Sequence, residues 1–373
     1  MSDQIVQSLQ NPLPNDSSIS AMPSLEQNSE IVSVSLQKPL SFLTSNTALS
    51  SWLNVKLKTL TYLSLNTSKL YNSYRIPKKR NGFRTIYDPN SSLREVQGRI
   101  LSKVLSHVSI PDYIYAFEKK KSIPLMASNH VGKRLVISVD LHDFFTKITQ
   151  RMIFQSMEQL GMSKDSARLV SELCTYKFFT PQGALTSPKI ANIITSMTFG
   201  PEIKEYCDSN DLALTIFADD ITISTNTSGN INVSQILKDI TSILIKHKFP
   251  VNYLKTKVMW GKRSRQYVCG VVVNEKLNLI KKQRSTLRAI VHNICVNGLE
   301  AEAAKNDLSA GEFKSRILGK LNWFGQLNKI QGDKLKSKLN EYLESLPEIV
   351  TTGEQYESSL PSSELKDVPW DLV

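Results

Sequence analysis

The chain has 373 residues, 40% of them hydrophobic and 21% charged, proportions of an ordinary soluble globular protein with room for two or three domains. Its net charge of +12 is uneven: residues 1–40 hold four acids against Lys38 and residues 348–373 six against Lys366, which leaves +20 on residues 41–347, a basic body suited to a polyanion such as nucleic acid. Cys174, Cys207, Cys269 and Cys295 form no CxxC zinc pair and no dense disulfide framework; the first residues show neither a basic n-region nor an apolar h-region, and no uncharged run approaches the ~20 residues that span a bilayer, so secretion and membrane embedding are not expected and a reducing cytoplasm is.

In chain order, residues 1–45 are rich in Ser, Asn, Gln and Pro and read as a flexible or partner-ordered extension. Leu53, Leu57, Leu60, Leu63 and Leu70 recur at helical spacing, and Asn66-Thr67-Ser68 can cap a second helix, so two short helices are expected over 46–72. Tyr74-Arg75-Ile76-Pro77 leads into a basic hairpin, 78–87, whose Asn81-Gly82 is a strong turn signal. A helix is expected from Leu93 to His107. The β-branched run Leu135 to Val139 predicts a strand that ends on Asp140, and helices are expected over roughly 150–176 and 188–208, flanking Pro181-Gln182-Gly183. Ile216 to Ser224 reads as an apolar hairpin with Asp219-Asp220 at its tip. An amphipathic helix over 231–247, a strand over 251–258 and a hairpin over 267–273 follow, then a basic helical bundle over 281–346 and an acidic, aperiodic tail over 348–373.

Met alone, an Asp-Asp dipeptide is most simply a polar turn. Placed near a second strand that also ends on an acid, it acquires another meaning. Clustered carboxylates are costly unless a cation sits beside them, and hard oxygen donors suit Mg²⁺ in two-metal phosphoryl transfer. Asp140, Asp219 and Asp220, with the Leu141 carbonyl, are the candidate ligands for two Mg²⁺ ions, and the three acids are the candidate catalytic residues.

The order of motifs resembles a reverse transcriptase, and within that family the retron (bacterial msDNA-synthesising) type, from about residue 50 to about 330. Val139-Asp140-Leu141-His142-Asp143-Phe144-Phe145 resembles the first catalytic motif, and 181–192 the PQG…SP…AN motif. Phe217-Ala218-Asp219-Asp220 resembles the [YF]xDD box, Asn252 with Lys255-Thr256 the NxxKT element, and Val268-Cys269-Gly270 the primer-grip turn. The family's usual Asn-Ala-x-x-His element reads Met126-Ala127-Ser128-Asn129-His130 here, keeping Ala127 and His130, and its Val-Thr-Gly reads Val268-Cys269-Gly270.

The resemblance implies an α+β right-hand polymerase. After the 1–45 extension come N-terminal helices and fingers (46–135), a palm with an antiparallel catalytic sheet and a fingers insertion near 150–185 (136–265), a primer grip and helical thumb (266–347), and the 348–373 tail. Lys78, Lys79 and Arg84 are expected to hold the triphosphate, Arg by a bidentate fork. Asp143, Phe144 and Phe145 are expected near the incoming nucleotide, with Phe145 as the ring that excludes a 2′-hydroxyl. Gln182-Gly183 offers an amide and a close backbone approach, and Lys255 a phosphate contact or a proton for the leaving pyrophosphate. Phe217, Ala218, Val268, Cys269 and Gly270 are expected along the primer and template, and His130 in subtype-specific RNA recognition. His142 is not expected to bind metal, since it adjoins a site that prefers oxygen.

The implied substrates and partners are dNTPs, a cognate structured non-coding RNA, its branched RNA–DNA product primed from a guanosine 2′-hydroxyl, and an effector protein in antiphage defence. Other readings are a different bacterial defence reverse transcriptase, protein-primed or untemplated, and an RNA-binding scaffold with dispensable catalysis. The lack of maturase, DNA-binding, HNH and RNase H regions points away from group II intron and retroviral enzymes.

Overall fold

A computed structural model describes residues 38–78, 82–229 and 231–345. Lys79, most of the N-terminal extension and the 348–373 tail lie outside the described residues. The chain divides into two compact units, Met1–Ser122 with Arg134–Met259, and Ile123–Lys133 with Trp260–Val373.

The first unit opens on helices Asn46–Leu53 and Leu57–Asn66. Ser45 caps the first, accepting from the Ala48 N–H at 3.1 Å. The break between the two falls at Asn54, which turns left-handed (φ 54°), a conformation Asn tolerates better than most residues. Asn66-Thr67-Ser68, expected to start a helix, instead closes one in a 3₁₀ turn. Strands β1 (Tyr71–Pro77) and β2 (Phe83–Pro89) form the basic hairpin in antiparallel register from Tyr71↔Pro89 to Pro77↔Phe83. Helix Ser91–Lys103 is capped by Asn90 and ends four residues before the expected His107, which falls in a 3₁₀ turn. The buried Gln97 donates to the Tyr71 hydroxyl (2.7 Å) and the Leu173 carbonyl (2.9 Å), tying the base of the hairpin to the core.

The central sheet has the order β4-β5-β3-β6, with β3 Leu135–Asp140, β4 Ala213–Phe217, β5 Asp220–Thr225 and β6 Lys257–Trp260. The β3–β5 and β4–β5 pairs are antiparallel. Leu135, Val136, Ile137 and Val139 of β3 and Ile221 to Thr225 of β5 are all buried. A sheet covered on both faces needs the near-continuous apolar, β-branched run that these strands carry.

The helical stretches expected over 150–176 and 188–208 are each split. The first becomes Gln150–Gln159 and Lys164–Leu173, separated at Gly161. Gly161 has φ +102°, and a Cβ there would lie 2.9 Å from the Lys38 Cβ. The second becomes Ser187–Met197 and Phe199–Ser209, broken at Thr198; Pro201 has no N–H to offer the Met197 carbonyl. After helix Val233–Lys246, the strand expected from 251 begins only at Lys257. Residues 252–255 make a turn instead, in which the Lys255 and Thr256 N–H groups donate to the Asn252 carbonyl at 3.0 and 3.1 Å.

The second unit joins helix Ile123–Ser128 to hairpin β7–β8 (Tyr267–Val268, Val271–Val272). Cys269 (φ 44°) and Gly270 (φ 81°) form its two-residue turn, and two positive φ values match the twist of a hairpin. Helices Lys281–Asn297, Leu299–Ala304, Ala310–Leu327 and Lys329–Ser345 follow. Leu287, Val291, Ile294, Phe313, Ile317, Leu321, Phe324 and Leu339 form their core. Among the described residues, no helix is long and apolar enough to cross a membrane.

Candidate active site

Antiparallel register sets Asp140, the last residue of β3, opposite Asp220, the first of β5. Ala218 and Asp219 form the two-residue turn between β4 and β5, with Phe217 paired to Asp220. Ala218 takes φ +53°, a left-handed value that a residue with a Cβ holds at a cost of about 1–3 kcal/mol. The backbone is pinned on both sides. The Leu141 N–H donates to the Asp219 carbonyl (2.8 Å), while the Asn252 N–H donates to Asp140 (2.7 Å) and the His142 N–H to Pro250 (2.8 Å). Three acids from two chain segments therefore share one end of the sheet.

Their charges interact. Burial pushes the Asp219 carboxyl above its usual range, and the Asp140 charge pushes it further; a backbone hydrogen bond, Lys255 and Arg84 pull it partly back. The Lys255 ammonium donates to both Asp140 oxygens, at 3.0 and 3.2 Å. The Ser138 hydroxyl, two residues before Asp140 on the same face of β3, donates to Asp220 Oδ1 at 2.9 Å. Sequence reasoning missed Ser138, because a lone Ser in a strand carries no signal of its own.

A carboxylate raised by burial and by a neighbouring negative charge, as Asp219 is, is a donor of the kind a hard divalent cation takes. Among the described residues, no three Asp, Glu, His or Cys side chains stand grouped tightly enough to hold a metal ion as they are oriented. Asp140 is turned to Lys255 and Asp220 to Ser138, so joint ligation requires these side chains to rotate. Leu141 is buried and could contribute only its carbonyl. His142 is turned to Asp143, its Nδ1 3.0 Å from that carboxylate.

The β1–β2 hairpin and the 181–183 loop meet. The Tyr87 N–H donates to the Gln182 carbonyl at 2.7 Å. Gly183 has φ +112°, and a Cβ there would lie 2.7 Å from the Tyr87 carbonyl oxygen; only glycine fits this crossing. Ser187 Oγ closes the loop by donating to the Pro181 carbonyl at 2.6 Å. Arg84 is exposed on β2 opposite Ile76, and Lys78 is exposed where β1 ends, its N–H bonded to the Gly82 carbonyl at 2.9 Å.

Asp143 turns left-handed (φ 54°) and starts the short helix Phe144–Lys147. The turn separates two rings. Phe144 is buried against Phe249 (centroids 5.8 Å) and offers a nucleotide no side-chain face, whereas Phe145 is half-buried. Phe117, which sequence reasoning did not single out, stands with its ring 6.5 Å from Phe145 and 6.3 Å from Phe217.

In the second unit, Val268 is buried beside the Cys269–Gly270 turn. His130 is fully buried, and burial, reinforced by Lys133, pushes its imidazole down to about 4.

The family model for reverse transcriptase (RNA-dependent DNA polymerase) matches residues 76–273. The Retron Ec86 reverse transcriptase of Escherichia coli is 31% identical over 259 residues, covering 68% of this chain and 80% of that protein. The Retron Mx65 reverse transcriptase of Myxococcus xanthus is 27% identical over 284 residues, covering 71% and 63%. The Retron Ec48 reverse transcriptase of Escherichia coli is 27% identical over 302 residues, covering 76% and 72%. Among solved structures, telomerase from Candida albicans in complex with a fragment of telomeric RNA aligns with a TM-score of 0.43 and 13% identity, covering 78% of this chain and 61% of that one. The chain thus belongs to the reverse transcriptase family, in its retron type, and is an RNA-directed DNA polymerase of right-hand, α+β architecture.

Proposed function

We propose that this polymerase copies part of a cognate structured non-coding RNA into single-stranded DNA that stays joined to the RNA through a branch at a guanosine 2′-hydroxyl. We infer further that it does so in the cytoplasm, in antiphage defence, with an effector protein as partner. An RNA template and dNTPs are the substrates of the family, and its members use divalent metal ions. The observation that carries the catalytic part is the register that sets Asp140 against Asp220 with Asp219 on the adjoining turn. The retron-specific part rests on likeness to reverse transcriptases named for retrons.

In this reading Asp140, Asp219, Asp220 and the Leu141 carbonyl hold two Mg²⁺ ions, which supply activation of the primer hydroxyl and neutralisation of the triphosphate. Arg84, with Lys78 and Lys79, draws the triphosphate to the site and orients it; Arg84 already acts electrostatically on Asp219. Gln182 and Gly183 form the floor under the nucleotide, held to the fingers hairpin through Tyr87. Phe145 would exclude a ribose 2′-hydroxyl by collision, and Asp143 sets the direction of its short helix by starting it. Lys255 holds a proton 3.0 Å from Asp140 that it can pass to the departing pyrophosphate. Phe217 and Ala218 shape the turn beneath the primer end, while Val268, Cys269 and Gly270 form the primer grip and the basic helices after 281 the thumb. His130 supports RNA recognition by packing its segment.

The test is to purify the full chain from its native locus and examine the co-purifying nucleic acid for DNA covalently joined to RNA by a 2′ branch. Recovery of such a species is the expected result. Free cDNA would favour a different priming mode, and RNA without DNA a scaffold.

A further inference from the structure

Phe117 combines two properties that rarely meet. Its backbone lies in the left-handed region, φ 61°, an outlier for a bulky residue, and its side chain is 51% exposed. A ring this open gains little burial to offset the strain. Strain of this kind persists only where the surroundings over-determine it, and it concentrates at functional positions.

The surroundings do over-determine it. Before Phe117, the chain runs parallel to β4: the Tyr115 N–H donates to Ile216 (2.8 Å) and the Ile216 N–H to Tyr113 (2.7 Å). On either side of Phe117, Asn192 Nδ2 donates to the Ala116 carbonyl (2.7 Å) and to Glu118 Oε1 (3.0 Å). Lys189 Nζ meets the same Glu118 carboxylate at 3.0 and 3.2 Å. After it, Lys121 Nζ gathers the carbonyls of Pro111, Asp112 and Ile114 at 2.9, 3.2 and 2.7 Å. Asn192 and Lys189 belong to the segment that follows Gln182-Gly183, so the nucleotide floor and the Phe117 loop are one hydrogen-bonded assembly.

What this assembly holds in place is a ring between two others. Phe117 lies 6.5 Å from Phe145 and 6.3 Å from Phe217, both pairs tilted, within the range of favourable aromatic pairing. Phe145 sits on a four-residue helix, and Phe144, its other ring neighbour at 5.5 Å, is buried behind it. Of these two rings against Phe145, Phe117 is the exposed one.

We propose that Phe117 is a positioning residue for sugar selection: it braces Phe145 against the β4–β5 turn, so that the Phe145 ring cannot swing aside for a ribonucleotide. The inference rests on the reading of Phe145 as the ring that excludes the 2′-hydroxyl. The experiment is single-nucleotide extension by the full chain with its RNA, comparing kcat/KM for a dNTP and the matching rNTP. Phe117→Ala should lower the dNTP/rNTP ratio by about tenfold or more, chiefly by admitting the rNTP, and Phe117→Tyr should preserve the ratio. Phe117→Gly, which takes φ 61° without strain, should lose selectivity with an unchanged or higher melting temperature. Adding Phe117→Ala to Phe145→Ala should lower the ratio no further than Phe145→Ala alone.

If Phe145→Ala lowers the ratio and Phe117→Ala does not, or Phe117→Ala slows both nucleotides equally, the bracing role is wrong while the Phe145 reading stands. If Phe145→Ala leaves the ratio unchanged, the Phe145 reading fails and this inference falls with it.

Discussion

Lys255 donates to both oxygens of Asp140, at 3.0 and 3.2 Å, from a turn whose first residue, Asn252, also bonds the Asp140 backbone. The ammonium is 59% exposed and the carboxylate 17%, so the pair adds at most about 1 kcal/mol to stability. In the proposed mechanism its role is chemical. Lys255→Met should slow DNA synthesis about 100-fold, within the range for losing a general acid, and leave the melting temperature nearly unchanged. Lys255→Arg, which keeps the charge but holds its proton too tightly to release it, should recover only the phosphate-binding part, seen in KM.

Asp219 illustrates the cost of such a site. Its folded-state pKa is raised by burial and by Asp140, so its contribution to stability is favourable below the ordinary carboxylate range and is lost as pH rises through the folded value. Ionisation of this carboxyl therefore costs the fold stability relative to its protonated form. Asp219→Asn should raise the melting temperature at pH 7, by a margin that shrinks in acid, while abolishing synthesis. A lowered melting temperature at pH 7 would show that Asp219 is stabilising as it stands.

Gly183 is fixed by contact with the β1–β2 hairpin. With φ +112° and the Tyr87 carbonyl oxygen 2.7 Å from a notional Cβ, Gly183→Ala should destabilise the fold by about 1–3 kcal/mol. It should also raise KM for dNTPs, because the loop must move off β2. Denaturant unfolding and steady-state kinetics read the two effects separately.

His130 sets an acid limit on the second unit. With its imidazole held at about 4 in the fold and near 6.5 when unfolded, the unfolded state binds the proton first. Stability should fall between those pH values by on the order of 3 kcal/mol. Denaturant titrations at pH 7, 5.5 and 4.5 should show this slope in the parent chain and a shallower one in His130→Asn.

The +20 carried by residues 41–347 implies that RNA affinity falls steeply with salt, through counterion release. A filter-binding series from low to physiological salt checks this; a flat response contradicts a phosphate-tracking surface.

Much of the catalytic sheet was legible because its signals are local. A β-branched run that ends on Asp140 and an apolar hairpin tipped by Asp219-Asp220 predict two strand ends, and β3 and β5 bear them out. What stayed hidden depended on partners distant in sequence. The turn at 252–255, expected as strand, follows the backbone of Asp140. The helix break at Asn54 rather than Asn66 reflects a left-handed residue that leucine spacing does not reveal. The burial of His130 and of Phe144 is set by the cores around them. Phe117 lies next to a run of lysines and follows no period, so nothing local separated it from an ordinary loop residue. Only the structure places its ring beside Phe145 and Phe217.

Asp219 and Asp220 replaced together with Ala, with DNA synthesis and RNA binding measured on the same preparation, test the catalytic assignment most sharply. Synthesis on an RNA template should disappear while RNA affinity stays within about threefold of the parent, a shift under 1 kcal/mol. Full synthesis by this variant would contradict that assignment.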